Sequence, residues 1–102
     1  QLKVYLRNNF DFALNYFNDK MPMIQPFDSK ASFLLWIDFS VLGLDSTELK
    51  KLMVNEGKIG MNNGHDFGPG GDGFQRLNVG APLIVVKEAL NRIEKAVNKQ
   101  IL

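Results

Sequence analysis

Cysteine is absent from the 102-residue sequence. This absence excludes a disulfide-stabilised fold and thiolate metal sites, and it favours a reducing compartment, so we expect a cytoplasmic protein. Neither sign of charge is in marked excess, because 12 basic and 11 acidic side chains leave a net charge of +1. That balance provides no basic surface for nucleic acid. No apolar run approaches the roughly 20 residues that cross a bilayer, so no membrane segment is predicted.

Histidine occurs once, at His65, and we interpret it as a loop or surface side chain rather than as an acid or base. No metal site is predicted. His65 lies in the stretch from Gly57 to Pro82, where most of the nine glycines are found. These glycines do not form a phosphate-binding P-loop, because the Gly-Lys-Ser/Thr motif is missing and no helix begins directly after them.

Hydrophobic periodicity predicts the order helix, strand, helix, strand, strand, helix. The predicted helices cover 2–17, 45–56 and the segment from Pro82 onward; the predicted strands cover 32–40, 58–63 and 74–79. Residues 21–29, with two prolines, are interpreted as an extended connection. This pattern predicts an α+β two-layer sandwich, in which helices pack on a small, three-stranded and mostly antiparallel sheet. The length indicates a single domain, 1–102.

The first predicted helix has a second apolar set, Tyr5, Phe12 and Tyr16, beside its main stripe. Such a wide apolar surface favours a helix that is deeply packed within its own domain. The alternative is that part of this surface packs on a further domain.

Three local features are interpreted as structural: a carboxylate, a capping pair and a glycine. Asp38 stands near the end of the apolar strand 32–40, where its carboxylate requires a hydrogen-bond partner. Asp45 and Glu48 have the spacing of a capping box at the start of the second helix. Gly57 occupies the position that glycine commonly takes just after a helix.

Alternation along the strand 74–79 separates its side chains into two sets. Gln75, Leu77 and Val79 form the set that is predicted to face the core, and Phe74, Arg76 and Asn78 form the other. Arg76 therefore faces away from the core. The planar guanidinium of arginine can hold a carboxylate with two parallel charge-assisted bonds. The alternative is a surface arginine paired with a nearby acid.

Three segments carry a family resemblance: SFLLWIDFSVLGL, HDFGPGGDGFQRLNVGAP and the helix ALNRIEKAV. In this order and spacing they resemble the C-terminal small domain of pyridoxal-phosphate-dependent class I/II aminotransferases of fold type I. Within that family they are similar to the MalY/PatB-type cystathionine β-lyases. The resemblance covers essentially the whole chain, and FG…GGDGFQRLNVGAP is its most specific part.

The resemblance implies roles for a few residues. Arg76 is similar to the family's arginine that binds the α-carboxylate of the amino-acid substrate, and Phe67 and Gly68 match a loop near the active-site mouth. No catalytic residue is implied here. The pyridoxal 5'-phosphate and the lysine that attaches it belong to a preceding large domain. Because the chain starts at Gln1 rather than at methionine, we expect a piece of a longer enzyme. None of its lysines matches the family's cofactor-binding lysine, so the resemblance implies that this piece is inactive alone.

For the whole enzyme, the resemblance implies a cytoplasmic homodimer that acts on a small-molecule amino acid. The expected reaction is that of a C–S β-lyase, which converts a thiol-bearing amino acid to pyruvate, ammonia and a thiol. An amino-acid aminotransferase of the same fold is the alternative. A third interpretation is a non-enzymatic module that binds a partner through the faces of Phe12, Tyr16 and Arg76.

Overall fold

The computed structural model of the chain describes residues 2–28, 34–59, 62–63 and 73–101. Its helices are α1 (Leu2–Lys20), α2 (Ser46–Asn55) and α3 (Leu83–Ile101), with a 3-10 turn, η1 (Ser40–Leu42), before α2. Its strands are β1 (Gln25–Asp28), β2 (Leu34–Asp38), β3 (Asn62–Asn63) and β4 (Phe74–Asn78). They form one sheet in the order β1-β2-β4-β3, and each neighbouring pair is antiparallel. The predicted α+β class with an antiparallel sheet is confirmed.

The sheet contains the three predicted strands and one more. β1 lies within the segment that was interpreted as an extended connection, and it pairs with β2 at the edge of the sheet. Its Pro26 lacks an N–H, which an edge strand tolerates because one side needs no partner. The strand predicted over 58–63 is assigned only at β3 among the described residues. Lys58 has a φ of 56°, a left-handed conformation that does not extend a strand.

All three helices contribute to one hydrophobic core on one face of the sheet. The core is a single buried cluster that joins alternate residues of β2 and β4 with residues of each helix. Its members include Leu35, Ile37, Leu77 and Val79 from the sheet side, Ala13 and Phe17 from α1, Leu49 and Met53 from α2, and Val86, Leu90 and Ile93 from α3. Burial of each large apolar side chain contributes roughly 1.5–3 kcal/mol. The remaining alternate residues of β2 and β4 therefore lie on the opposite face.

The second apolar set of α1 packs inside this domain. Phe12 and Tyr16 are partly buried against the core. The Tyr16 hydroxyl donates a hydrogen bond of 2.5 Å to Glu94 of α3, and the Lys87 ammonium lies 5.3 Å from the centre of the Phe12 ring. Phe12 and Tyr16 therefore pack within this domain, but they are partly rather than deeply buried. The side chain of Tyr5 lies outside the described part.

Both ends of α2 lie where the sequence predicts them, but the glycine at the C-terminal end is needed for a reason other than helix capping. The capping box is present, with the Glu48 N–H donating to Asp45 and the Asp45 N–H donating to Glu48. Gly57 follows the helix as predicted, but its backbone is not left-handed. A Cβ there would lie 2.9 Å from the carbonyl oxygens of both Met53 and Arg92. The glycine is required by the close approach of α2 and α3.

Candidate functional site

One row of residues crosses three strands of the sheet on the face away from the helices. Phe27 pairs with Trp36, and Trp36 pairs with Arg76. Directly paired residues of antiparallel strands project from the same face. We call the surface formed by Phe27, Trp36, Phe74 and Arg76 the outer face.

Burial along β4 confirms which way Arg76 projects. Gln75 and Val79 are fully buried and Leu77 is 7% exposed, whereas Phe74 and Arg76 are half-buried and Asn78 is exposed. The alternation predicted from the sequence is thus present. Arg76 lies on the outer face, where it can reach a group that is not part of the helical layer.

Aromatic side chains share the outer face with the arginine. The rings of Phe27 and Phe74 lie 6.4 Å apart with a tilt of 34°, and Phe27 is 49% exposed. Trp36 is half-buried between the strand of Phe27 and that of Arg76. A cation bordered by apolar rings attracts an anion more strongly than one in open water, because the local dielectric constant is lower. The outer face is suited to bind one carboxylate beside an apolar group.

Backbone contacts fix the start of β4. The Gly73 carbonyl accepts a hydrogen bond of 2.8 Å from the Phe39 N–H, and Gly73 has a φ of 85° that favours glycine. Close by, the Asp38 carboxylate accepts a 2.8 Å bond from the Ser40 N–H. Asp38 is therefore a satisfied carboxylate near the strand end, as predicted.

The other end of β4 is fastened by two asparagines. The Asn78 side chain accepts a 2.7 Å bond from the Gly80 N–H. Asn9, which is buried in α1, donates to the carbonyls of Val79 at 2.8 Å and Ala81 at 2.7 Å. Both ends of the strand that presents Arg76 are thus held by specific hydrogen bonds.

Of the residues proposed from the sequence, the structure places only Arg76. Phe67, Gly68 and His65 lie outside the described residues. Sequence reasoning missed Trp36 and Phe27 as neighbours of Arg76. Alternation identifies the face of each strand, but the pairing register brings these residues side by side, and no local signal in the sequence encodes it.

Among the described residues, the outer face carries the guanidinium of Arg76, a group that can pair with a carboxylate. Every lysine whose side chain is described is exposed and lies on a helix or just beyond one, away from the strands. Within the same part of the chain, no three His, Asp or Glu side chains gather where they could hold a metal ion. No described helix is long and apolar enough to cross a membrane.

Curated relatives match nearly the whole chain, although no model of a known protein family matches it. Cystathionine β-lyase PatB of Bacillus subtilis is 36% identical over 96% of the chain and 25% of its own length. Protein MalY of Escherichia coli is 30% identical over 79% of the chain and 21% of its own length. An aromatic-amino-acid aminotransferase of Thermococcus litoralis is 29% identical over 78% of the chain and 20% of its length.

Solved structures agree with these relatives. A PLP-bound protein of the aminotransferase type from Clostridium difficile superposes with a TM-score of 0.92 at 43% identity, over 95% of this chain and 25% of its own. Cystalysin of Treponema denticola, which contains pyridoxal 5'-phosphate, gives 0.86 at 32% identity over 93% of this chain and 24% of its own. The chain thus spans about a quarter of the length of the proteins it matches. Its homologues are cystathionine β-lyases of the MalY/PatB type and aminotransferases, and the solved structures that it matches are enzymes of fold type I that contain pyridoxal phosphate.

Proposed function

We propose that this chain is the C-terminal small domain of a longer pyridoxal-phosphate-dependent enzyme, in which Arg76 binds the α-carboxylate of an amino-acid substrate. The observation that carries the proposal is the position of Arg76. It is half-buried among aromatic residues on the outer face, opposite the helices. Phe67 and Gly68, by their resemblance to the family's loop, would lie at the mouth of that site.

Pyridoxal phosphate supplies an electron sink for the negative charge that develops when an amino acid loses its α-proton. The large domain, outside this chain, would hold the cofactor. The contribution of this chain is binding and orientation. A paired and desolvated Arg76 would give about 2–5 kcal/mol, judged by the cost of truncating one partner of a buried charge pair.

We propose that the whole enzyme is a C–S β-lyase, which releases pyruvate, ammonia and a thiol. The chain is more similar to PatB than to the aminotransferase, both in sequence identity and in the share of the chain that is matched. This difference supports the lyase assignment. The alternative, an amino-acid aminotransferase, is favoured by the family's other relatives. The full-length protein with cystathionine should release pyruvate and a thiol without an added oxo acid. A requirement for an oxo-acid acceptor would identify the aminotransferase instead.

The arginine assignment is tested by Arg76→Ala in the full-length holoenzyme. We expect KM to rise about 100-fold, which corresponds to about 2.7 kcal/mol, while bound cofactor stays unchanged. Arg76→Lys keeps the charge but loses the two-bond fork, so its effect should be intermediate. Loss of cofactor with an unchanged KM would show that Arg76 does not bind the substrate.

A further inference from the structure

We propose that Trp36 is a positioning residue, whose indole ring holds the guanidinium of Arg76 in the orientation that receives the carboxylate. The inference rests on the substrate-binding role proposed for Arg76. Trp36 and Arg76 are direct cross-strand partners on β2 and β4. The Cβ atoms of such partners lie about 4.5–5.5 Å apart, within reach of two long side chains on the same face.

The chemistry of the two side chains suits this arrangement. A guanidinium stacks on aromatic faces, and the indole ring is the most favourable surface for a cation. Stacking uses the flat face of the guanidinium, whereas hydrogen bonds to a carboxylate come from its N–H edge. That edge is the part that makes two parallel bonds to a carboxylate.

Trp36 is itself held in place. In its row it lies between Phe27 on β1 and Arg76 on β4, and its strand neighbours Leu35 and Ile37 are fully buried in the core. A half-buried indole in such a row has few alternative orientations. A free arginine side chain adopts many rotamers, so a fixed platform reduces the conformational freedom that substrate binding must remove.

Substrate binding, rather than the chemical step, should therefore depend on Trp36. We would compare Trp36→Leu and Trp36→Phe in the full-length holoenzyme. Titration calorimetry with propionate, a carboxylate without the reacting amino group, gives a dissociation constant that is independent of turnover. We expect Trp36→Leu to weaken propionate binding and raise KM about tenfold, with kcat changed less than about threefold. Trp36→Phe retains a ring and should restore most of the affinity.

Phe12→Leu is the matched control, because it removes a partly buried aromatic ring from α1, which packs on the core on the opposite side of the sheet from Arg76. It should leave the affinity for propionate within about twofold. Circular dichroism and the content of bound cofactor verify that each variant is folded. If Trp36→Leu does not fold, Trp36→Met supplies an unbranched apolar replacement for the same comparison.

A double-mutant cycle distinguishes this inference from the assignment of Arg76. If Trp36 acts through Arg76, Trp36→Leu has no further effect in the Arg76→Ala background. An equal loss in both backgrounds would show that Trp36 acts independently and would overturn the inference. So would a normal affinity of Trp36→Leu while Arg76→Ala binds weakly. If Arg76→Ala itself binds propionate normally, the substrate role of Arg76 is wrong, and the positioning role of Trp36 falls with it.

Discussion

Asn9 fastens helix α1 to the chain just after β4. Its side-chain amide donates to the carbonyls of Val79 and Ala81, and the residue is 1% exposed. Asn9→Ala removes the amide donor, so the two carbonyls lose this hydrogen bond. Each buried carbonyl left without a partner costs about 1–3 kcal/mol of folding stability. We expect a loss of about 2–4 kcal/mol, measured as a lower urea midpoint by the fluorescence of Trp36, the only tryptophan in the sequence.

Two further variants give this prediction its control. Asn15→Ala changes an exposed asparagine on the same helix and should stay within about 0.5 kcal/mol. Asn9→Asp keeps the shape, but an ionised carboxylate can only accept hydrogen bonds, so it would face two carbonyl oxygens. A mild effect of Asn9→Asp would contradict the role assigned to the two hydrogen bonds.

Gly57 and Gly43 are required for different reasons. A Cβ at Gly57 would lie 2.9 Å from two carbonyl oxygens, whereas Gly43 has a φ of 72° and nothing within 4 Å of its Cβ position. We expect Gly57→Asn to cost about 1–3 kcal/mol through crowding, measured by urea unfolding. Gly43→Asn should cost less than about 1 kcal/mol, because asparagine tolerates a left-handed backbone. Equal costs at the two positions would refute the crowding argument at Gly57.

At the scale of elements, α1 and α3 are joined by Tyr16 and Glu94. Burial, and then the hydrogen bond and negative charge of Glu94, raise the pKa of Tyr16 from 10.0 to about 12. A group whose pKa is higher in the folded state than in the unfolded state stabilises the fold. This stabilisation is complete below the unfolded pKa and is lost as pH rises through the folded pKa. The contribution of Tyr16 should therefore be complete below pH 10 and disappear toward pH 12.

Comparison with Tyr16→Phe isolates this contribution from the titration of lysines, which both proteins share. The difference in free energy of unfolding between the two should narrow between pH 10 and about 12. In a phenolate absorbance titration, the component that Tyr16→Phe removes should have a midpoint near 12. A midpoint near 10 would show that the α1–α3 contact does not raise the pKa of this hydroxyl.

The same elements show what the sequence could predict. The capping box of Asp45 and the apolar stripes of the helices are local signals, and the helices lie close to their predicted bounds. β1 was missed because it is four residues long and includes Pro26, which usually argues against a strand except at an edge. Edge position is a property of the assembled sheet. For the same reason the face of Arg76 was predictable from alternation, but its neighbour Trp36 was not.

At the scale of the whole molecule, the sheet divides the chain into a structural half and a half suited to binding. The helices cover one face and build the core, while Arg76 lies on the outer face with its aromatic neighbours. This division fits the proposal that Arg76 forms one part of an active site that another domain completes. Every lysine whose side chain is described lies on a helix or just beyond one, so none of these lysines is placed beside Arg76 to attach a cofactor.

This division predicts that the 102-residue chain, expressed alone, does not bind pyridoxal phosphate stoichiometrically. Mixed with the cofactor, it should give no saturable, protein-dependent absorption band, and only weak adducts spread over exposed lysines. The full-length protein should show the band, and so should its Arg76→Ala variant, because Arg76 is assigned to the substrate and not to the cofactor. Saturable one-to-one binding by the chain alone would mean that it contains a cofactor site, and the division of roles between the two domains would then be wrong.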